Sequence, residues 1–559
     1  MVASATTVEN RGLYICAGSA SVIGPSFALC GSIIAIFATL TLAILRLNHG
    51  IFSYTLDDAY IELRLGEQLR HFHYGINSTE VSSPASSIVF PLLLAPAADF
   101  SWYGYVPLGI NLLCLLLSAL IIADCARKCG LGSFAAGALA LVLCTVFNLF
   151  GVAFTGLEHS LQTLLTLAML QGVMTLRARS KVPVWLDAAA ISAPFVRFEG
   201  LASSGAYLLI LWGAGRRAHA LSTAGILGFM LLAFATIMHH ASLPIIPASA
   251  QAKSAIAGSL VTDQRLSLTP LIIQNFAHNL STRNGSLLIL IASGLALHLV
   301  ARMRAPSSET DVALFTILIT VAQLGAGNFG WLDRYETYVL APAVISVVCV
   351  YRRQWHTALE NSPTLATAGI FALLLIAGLP MIRLFFRIRG FAHSVYLQQY
   401  QMHRLAVEFI KQPVAVNDLG WVSYRNPNSV IDLVGLTSQE TRHIRETRSA
   451  RALEALLARN HVSLVMIYPE WFDHMIPDSL TPLAELISRC TICAPAFRRV
   501  VLFATSSADS QALRTTLEAF GRSLPPEAEL RFAARNHAPV QHGAGGVPAS
   551  GVSATAQDP

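Results

Sequence analysis

Phe27–Leu45 reads FALCGSIIAIFATLTLAIL, an uncharged apolar run of about the 20 residues a helix needs to cross the hydrocarbon core of a bilayer. Similar stretches follow near 105–125, 133–153, 158–176, 183–197, 200–214, 219–239, 285–301, 310–328, 335–351 and 363–382. The whole chain of 559 residues is 54% hydrophobic and only 13% charged, with mean hydropathy +0.55. Soluble domains carry about a quarter charged residues, so the composition argues against a cytosolic enzyme and for a polytopic α-helical membrane protein. The formal net charge of +6 does not indicate nucleic acid as a partner. Most Lys and Arg sit in short clusters between apolar segments, the pattern of topology control rather than of a phosphate-binding face.

Those clusters are Arg127-Lys128, Arg177 to Lys181, Arg216-Arg217, Arg302 with Arg304, and Arg352-Arg353. With about eleven spans and a cytoplasmic N-terminal segment (1–26), all of them fall on the cytoplasmic side. Segment 86–98, SSIVFPLLLAPAA, is too short to cross and is expected to dip into the membrane. The first span ends in LRLNHG without a small-x-small cleavage pattern, which reads as an uncleaved anchor. The opposite side then receives loops 48–104, 154–158, 197–200, 240–284 and 329–334, and everything after 383.

Past residue 390 the composition becomes mixed. VAVND (414–418), SVIDLVG (429–435), SLVMIYP (463–469) and VVLFAT (500–505) read as short buried strands. Helical patterns at 393–411, 447–459 and 509–521 interleave with them, so the expectation is a C-terminal extracytoplasmic α/β domain over 390–535. That leaves a transmembrane domain over 27–389. The tail 536–559, rich in Gly, Ala, Pro and Ser, is expected to be disordered. Most of the nine cysteines lie in apolar segments, and only Cys490 and Cys493 form a close pair, CTIC; a local disulfide or no special use is expected there rather than a redox site.

Directly after the first span comes SYTLDDAYIELRLGEQLRHFHYGINSTEVSSPASSIVFPLLLA. Adjacent carboxylates so near a membrane surface, Asp57 and Asp58, are costly to desolvate and must be solvated, paired or metal-bound. Tyr60, Leu63 and Glu67 share one face of a helical register, which predicts an amphipathic helix along the membrane surface with the acid pair at its start. Helix capping is the ordinary use of one Asp; two together favour a functional role. Asp418 and Asp432 follow apolar strand cores, a position that suits ligand contacts at strand ends, with turn capping the ordinary reading. His71, His73 and His159 have no recognisable metal-ligand spacing.

LDDAYIELRLGEQL followed by SSPASSIVFPLLLA resembles the first-loop signature of the GT-C superfamily of integral-membrane glycosyltransferases, in its bacterial arabinofuranosyltransferase-like branch. FTGLEHSLQTLLTLAML (154–170), APFVRFEGLA (193–202), LPIIPASAQAKSA (243–255), WLDRYETYVLAP (331–342) and VAVNDLGWVSYRNPNSVIDLVGLTSQE (414–440) are similar to further elements of that branch, in the same order. The sequence departs from it at Glu62, at His71-Phe72-His73 and after Pro84 in SSPASS.

The resemblance implies transfer of a sugar from a polyprenyl-phosphate donor to a hydroxyl of a glycan, lipid or protein acceptor. The reaction would occur at the periplasmic face of a bacterial inner membrane. It assigns Asp57 as general base, with Asp58 orienting it, holding the acceptor or coordinating an optional divalent ion, Mg²⁺ or Mn²⁺. Lys253, Arg334 and Arg197 are the candidates for the departing phosphate, and Glu158, Glu199 and Tyr60 would support the site. Two other classes compete. A transporter or flippase of a lipid-linked saccharide would be expected to show internal repeats and mid-membrane ionisable residues, and no repeat is evident. A non-catalytic scaffold would not need the intact acid pair.

Overall fold

The computed structural model describes residues 20–246, 268–302, 305–506 and 508–533. Lys253, most of segment 1–26 and the tail 536–559 lie outside the described residues. The chain divides into two compact units: Met1–Leu42 with Ala85–Ile388, and Ala43–Pro84 with Arg389–Pro559.

The first unit is helical. Each apolar stretch in the sequence becomes a helix or a pair of helices, including Ala20–Leu47, Val106–Lys128, His159–Thr175, Arg217–His240, Arg283–Arg302, Ser308–Ala326 and Thr337–Val350. Among the described residues, five helices are long and apolar enough to cross a membrane, or up to six if one bent pair counts as a span. The chain therefore carries several helices long and apolar enough to cross a membrane, whereas helix length alone does not reproduce the expected eleven. Val184–Val196 and Gly200–Gly213, with 13 and 14 residues, fall short of the roughly 20 that a straight crossing takes. Segment 86–98 forms a six-residue helix, Val89–Leu94, and a 3₁₀ turn, Ala95–Ala97.

Val184–Val196 and Gly200–Gly213 are joined by Arg197-Phe198-Glu199, and the two helices cross closely. A Cβ at Gly200 would lie 2.3 Å from the Ala193 carbonyl oxygen, so only glycine permits this approach.

The second unit holds, among the described residues, a six-stranded mixed sheet in the order β2-β1-β3-β5-β4-β6. Its strands are β1 Val414–Val416, β2 Val430–Asp432, β3 Leu464–Ile467, β4 Thr481–Ser488, β5 Arg499–Ala504 and β6 Ala528–Phe532. β1 pairs in parallel with β2 and β3; the other pairings are antiparallel. β1, β2, β3 and β5 fall on the four strand patterns of the sequence.

Helices Gln439–Thr447 and Ala450–Arg459 start at Ser438 and Ser449, whose side chains accept from backbone N–H groups three residues on. Their Ile444, Leu453, Leu456 and Leu457 pack with Ile431, Val465 and Phe503 of the sheet. Cys490 and Cys493 form a disulfide, with Cys490 buried against Tyr396, Leu397 and Ala528.

The first-loop helix, Asp58–Arg70, belongs to this second unit. Ala59, Tyr60, Ile61, Glu62, Leu63, Leu65, Gly66 and Gln68 are all buried. The expected amphipathic helix lying on a surface is thus corrected to one enclosed on most sides. Asn77 reinforces the arrangement: its carboxamide donates to the Val430 carbonyl at 3.0 Å and accepts from the Val430 N–H at 2.9 Å. It supplies the outer edge of β2 with the pairing that a neighbouring strand would give.

Candidate active site

Asp57 occupies the residue before helix Asp58–Arg70 but does not cap it with its side chain. Its carboxylate instead accepts the backbone N–H groups of Gly420 at 2.7 Å and Trp421 at 2.8 Å. These amides come from the short helix Gly420–Ser423 that follows β1. Tyr60 secures the clamp from one turn away: its ring stacks on Trp421 at 3.8 Å between centroids, and its hydroxyl accepts the Tyr54 N–H at 3.2 Å. Glycine is required at 420, because a Cβ there would stand 2.0 Å from the Asp57 carbonyl oxygen and 2.7 Å from the carboxylate. We expect Gly420→Ala to cost about 1–3 kcal/mol as an overpacking change and to displace the carboxylate. Thermal unfolding measured beside transfer activity checks both effects.

Two residues before Gly420 lies a third acid, Asp418. Its Oδ2 accepts from Gln399 Nε2 at 2.7 Å and from the Tyr468 hydroxyl at 2.6 Å. The same hydroxyl lies 2.5 Å from Gln398 Oε1. One phenolic proton cannot serve two acceptors fully; a proton on Asp418 lets the acid donate to Tyr468 while Tyr468 donates to Gln398.

Burial pushes Asp57 well above the usual carboxylate range. The Asp418 and Asp58 charges add to this, and the two amides oppose it. Asp418 is likewise raised, by burial first, against the pull of Tyr468 and Gln399 and with a push from Asp58. Turn capping, expected for both Asp418 and Asp432, describes only the latter, which accepts the N–H groups of Val434, Leu436 and Thr437.

The raised values set a sign for pH dependence. Above about pH 4 the folded cluster holds protons that the unfolded chain has lost, so its contribution to stability falls as pH rises through the folded-state values. For Asp418→Asn we expect a flatter decline, by up to about 1.4 kcal/mol per pH unit for each proton removed from the linkage. Thermal unfolding of both proteins from pH 4 to 8 measures it; parallel curves would remove Asp418 from the coupled set.

In the helical unit the structure gathers Arg197, Glu158, Glu199 and Arg334. Glu158 immediately precedes helix His159–Thr175 and is fully buried. Arg197 Nη1 donates to Glu158 Oε1 and Nη2 to Glu199 Oε1, both at 2.7 Å. The Tyr335 ring lies 5.5 Å from the Arg197 guanidinium and 4.8 Å from that of Arg334. Arg334 donates to the Tyr335 hydroxyl at 2.9 Å, and the His159 ring is 5.7 Å away.

Arg334 follows three consecutive left-handed residues, Trp331, Leu332 and Asp333 (φ 49°, 67° and 53°). Such a turn is costly for non-glycine residues and persists only when its surroundings fix it. Asn148 Nδ2 bonds the Leu332 carbonyl at 3.0 Å, and the Glu336 carboxylate, held by Asn284 at 2.7 Å, accepts the Gly330 N–H.

Of the residues singled out in the sequence, Asp57, Asp58 and Tyr60 therefore lie in one unit, and Arg197, Arg334, Glu158 and Glu199 in the other. Each Asp57 oxygen accepts one backbone amide, which leaves each a further lone pair for an acceptor proton or an optional divalent ion. Among the described residues no group of three or more His, Cys, Asp or Glu is placed to hold a metal.

A family model described as a domain of unknown function, DUF8728, matches residues 388–513. No curated protein matches the chain. Among solved structures it is similar to the Archaeoglobus fulgidus oligosaccharyltransferase in the apo form, at 12% identity over 82% of this chain and 73% of that one, TM-score 0.45. It is similar also to ArnT from Cupriavidus metallidurans bound to undecaprenyl phosphate, at 13% identity over 86% and 99%, TM-score 0.46. A third is the A. fulgidus oligosaccharyltransferase AglB in complex with an inhibitory peptide and a dolichol-phosphate, at 13% identity over 82% and 73%, TM-score 0.44. AglB and ArnT are both membrane glycosyltransferases of the GT-C superfamily.

Proposed function

We propose that the chain is a membrane glycosyltransferase that moves a sugar from a polyprenyl-phosphate carrier to an acceptor hydroxyl at the periplasmic face of a bacterial inner membrane. The observation that carries the proposal is the Asp57 carboxylate, oriented by two backbone amides and raised in proton affinity by burial and by Asp418. A general base works best when its proton affinity approaches the working pH, and an ordinary surface Asp is too weak.

In the reaction, the acceptor O–H bond breaks as its oxygen bonds to the anomeric carbon. The proton passes to Asp57, and the bond from carbon to phosphate oxygen breaks with its electron pair leaving on the phosphate. Asp58 helps to hold the acceptor. Arg334, fixed against Tyr335, is the favoured cation for the phosphate. Arg197, engaged by two carboxylates, sets the shape of its surroundings, and Lys253 remains a candidate from the sequence alone.

The test is release of polyprenyl phosphate from a panel of polyprenyl-phosphate sugars by the purified chain in nanodiscs, with glycan, lipid and peptide acceptors. Release that depends on an acceptor supports the reading. Folded protein that releases none from any donor counts against it.

A further inference from the structure

Helix His159–Thr175 carries a second polar feature, separate from the arginine contacts. Glu158 and Gln162 lie four residues apart, linked by the Gln162 N–H to Glu158 carbonyl bond at 3.0 Å, so their side chains share one helix face. They are 0% and 1% exposed. Glu158 Oε1 is taken by Arg197. Its Oε2, and both Oε1 and Nε2 of Gln162, have no hydrogen-bond partner among the described residues. Leaving a buried carboxamide and a carboxylate oxygen unsatisfied is costly, and a residue of similar volume without polar atoms would avoid the cost. Their presence points to a partner that arrives from outside the chain.

The unsatisfied atoms specify that partner's chemistry. Glu158 Oε2 only accepts, Gln162 Oε1 accepts, and Gln162 Nε2 donates. A phosphate would satisfy Nε2 but set its charge against the carboxylate. A cation would suit the two oxygens and be opposed by Nε2. A hydroxyl both donates and accepts, so a pair of adjacent hydroxyls meets all three needs.

We propose that Glu158 and Gln162 form a subsite for neighbouring hydroxyls of the carrier-linked sugar, with Gln162 a specificity-determining residue. This deepens the glycosyltransferase reading and rests on it for the identity of the ligand.

The experiment uses the full chain in nanodiscs, comparing wild type with Gln162→Leu and the volume-matched Gln162→Met. Binding is measured for bare polyprenyl phosphate, for polyprenyl-phosphate-linked glucose, mannose and arabinose, and for monodeoxy forms of whichever sugar binds best. The variants should weaken that sugar-linked carrier by roughly 10-fold or more, the scale of losing a hydroxyl partner, and leave the bare carrier unchanged. One monodeoxy carrier should bind wild type as weakly as the variants and lose nothing further in them. The ligand-free variants should unfold at or above the wild-type temperature, since an unsatisfied amide has been removed.

An equal loss for bare and sugar-linked carriers, or no loss for any sugar, overturns the subsite. So do sugar-linked carriers that bind wild type no better than the bare one, and the release assay then judges the reaction by itself. Sugar-selective binding that Gln162→Leu abolishes, in a chain that transfers to no acceptor, upholds the subsite and sinks the reaction.

Discussion

Asp57→Asn is expected to lower transfer by about 10²-fold or more, the usual contribution of a general base, with the loss in kcat rather than in donor binding. The substitution conserves volume but removes the proton acceptor. It also turns one carboxylate oxygen, which now receives the N–H of Gly420 or Trp421, into an N–H donor facing another donor. Part of the loss is therefore positional. Asp58→Asn separates the roles, because Asp58 lies in the first turn of its helix whereas the Gly420 and Trp421 amides are received by Asp57. Single-turnover release of polyprenyl phosphate by the three proteins is the measurement. A collapse confined to Asp57→Asn names the base, a collapse confined to Asp58→Asn exchanges the two assignments, and equal turnover in all three removes the pair from the reaction.

The largest effect on stability is expected at Arg197. Its guanidinium bridges Glu158, which is 0% exposed, and Glu199. Arg197→Met would keep much of the aliphatic volume but leave the Glu158 carboxylate buried without its cation. Breaking a buried pair from one side costs about 3–5 kcal/mol. The charged pair replaced as a whole should be far less damaging, so Arg197→Met combined with Glu158→Gln should recover part of the loss. Thermal unfolding in nanodiscs of the two single variants and the double variant measures the coupling. Additive losses would show that the bridge contributes no specific interaction.

Hydropathy made the helical unit legible, since long apolar runs have few alternatives to helices in a bilayer. The strands that were visible, such as VAVND and SLVMIYP, are buried along their length, as β1 and β3 are. β4 and β6 escaped notice because their exposure is mixed. β4 carries Pro482 and Glu485, the latter paired with Arg499, and β6 carries two glutamate or arginine charges paired beyond the strand itself or within it.

The acid pair was readable as chemistry, whereas its clamp was not, because nothing local in SYTLDDAY indicates which distant amides receive Asp57. Of the two readings open for Asp418, the favoured turn cap is not what its side chain does, for the same reason: its partners, Gln399 and Tyr468, come from other elements of the domain. Gln162 had a signal that could have found it. Glu158, Gln162 and Thr166 recur every fourth residue inside an apolar segment, which places polar groups along one helix face.

The clamp around Asp57 also fixes an order of events during synthesis. Its two amide donors follow it in the chain by 363 and 364 residues. At about 5–20 residues per second, the acid-bearing loop waits roughly 20–70 s for the segment that encloses it. Throughout that interval Tyr60, buried in the finished molecule, lacks the Trp421 ring on which it stacks. A chain halted before residue 420 thus holds every helix of the first unit and the acid pair itself, yet lacks the two amides that receive the Asp57 carboxylate.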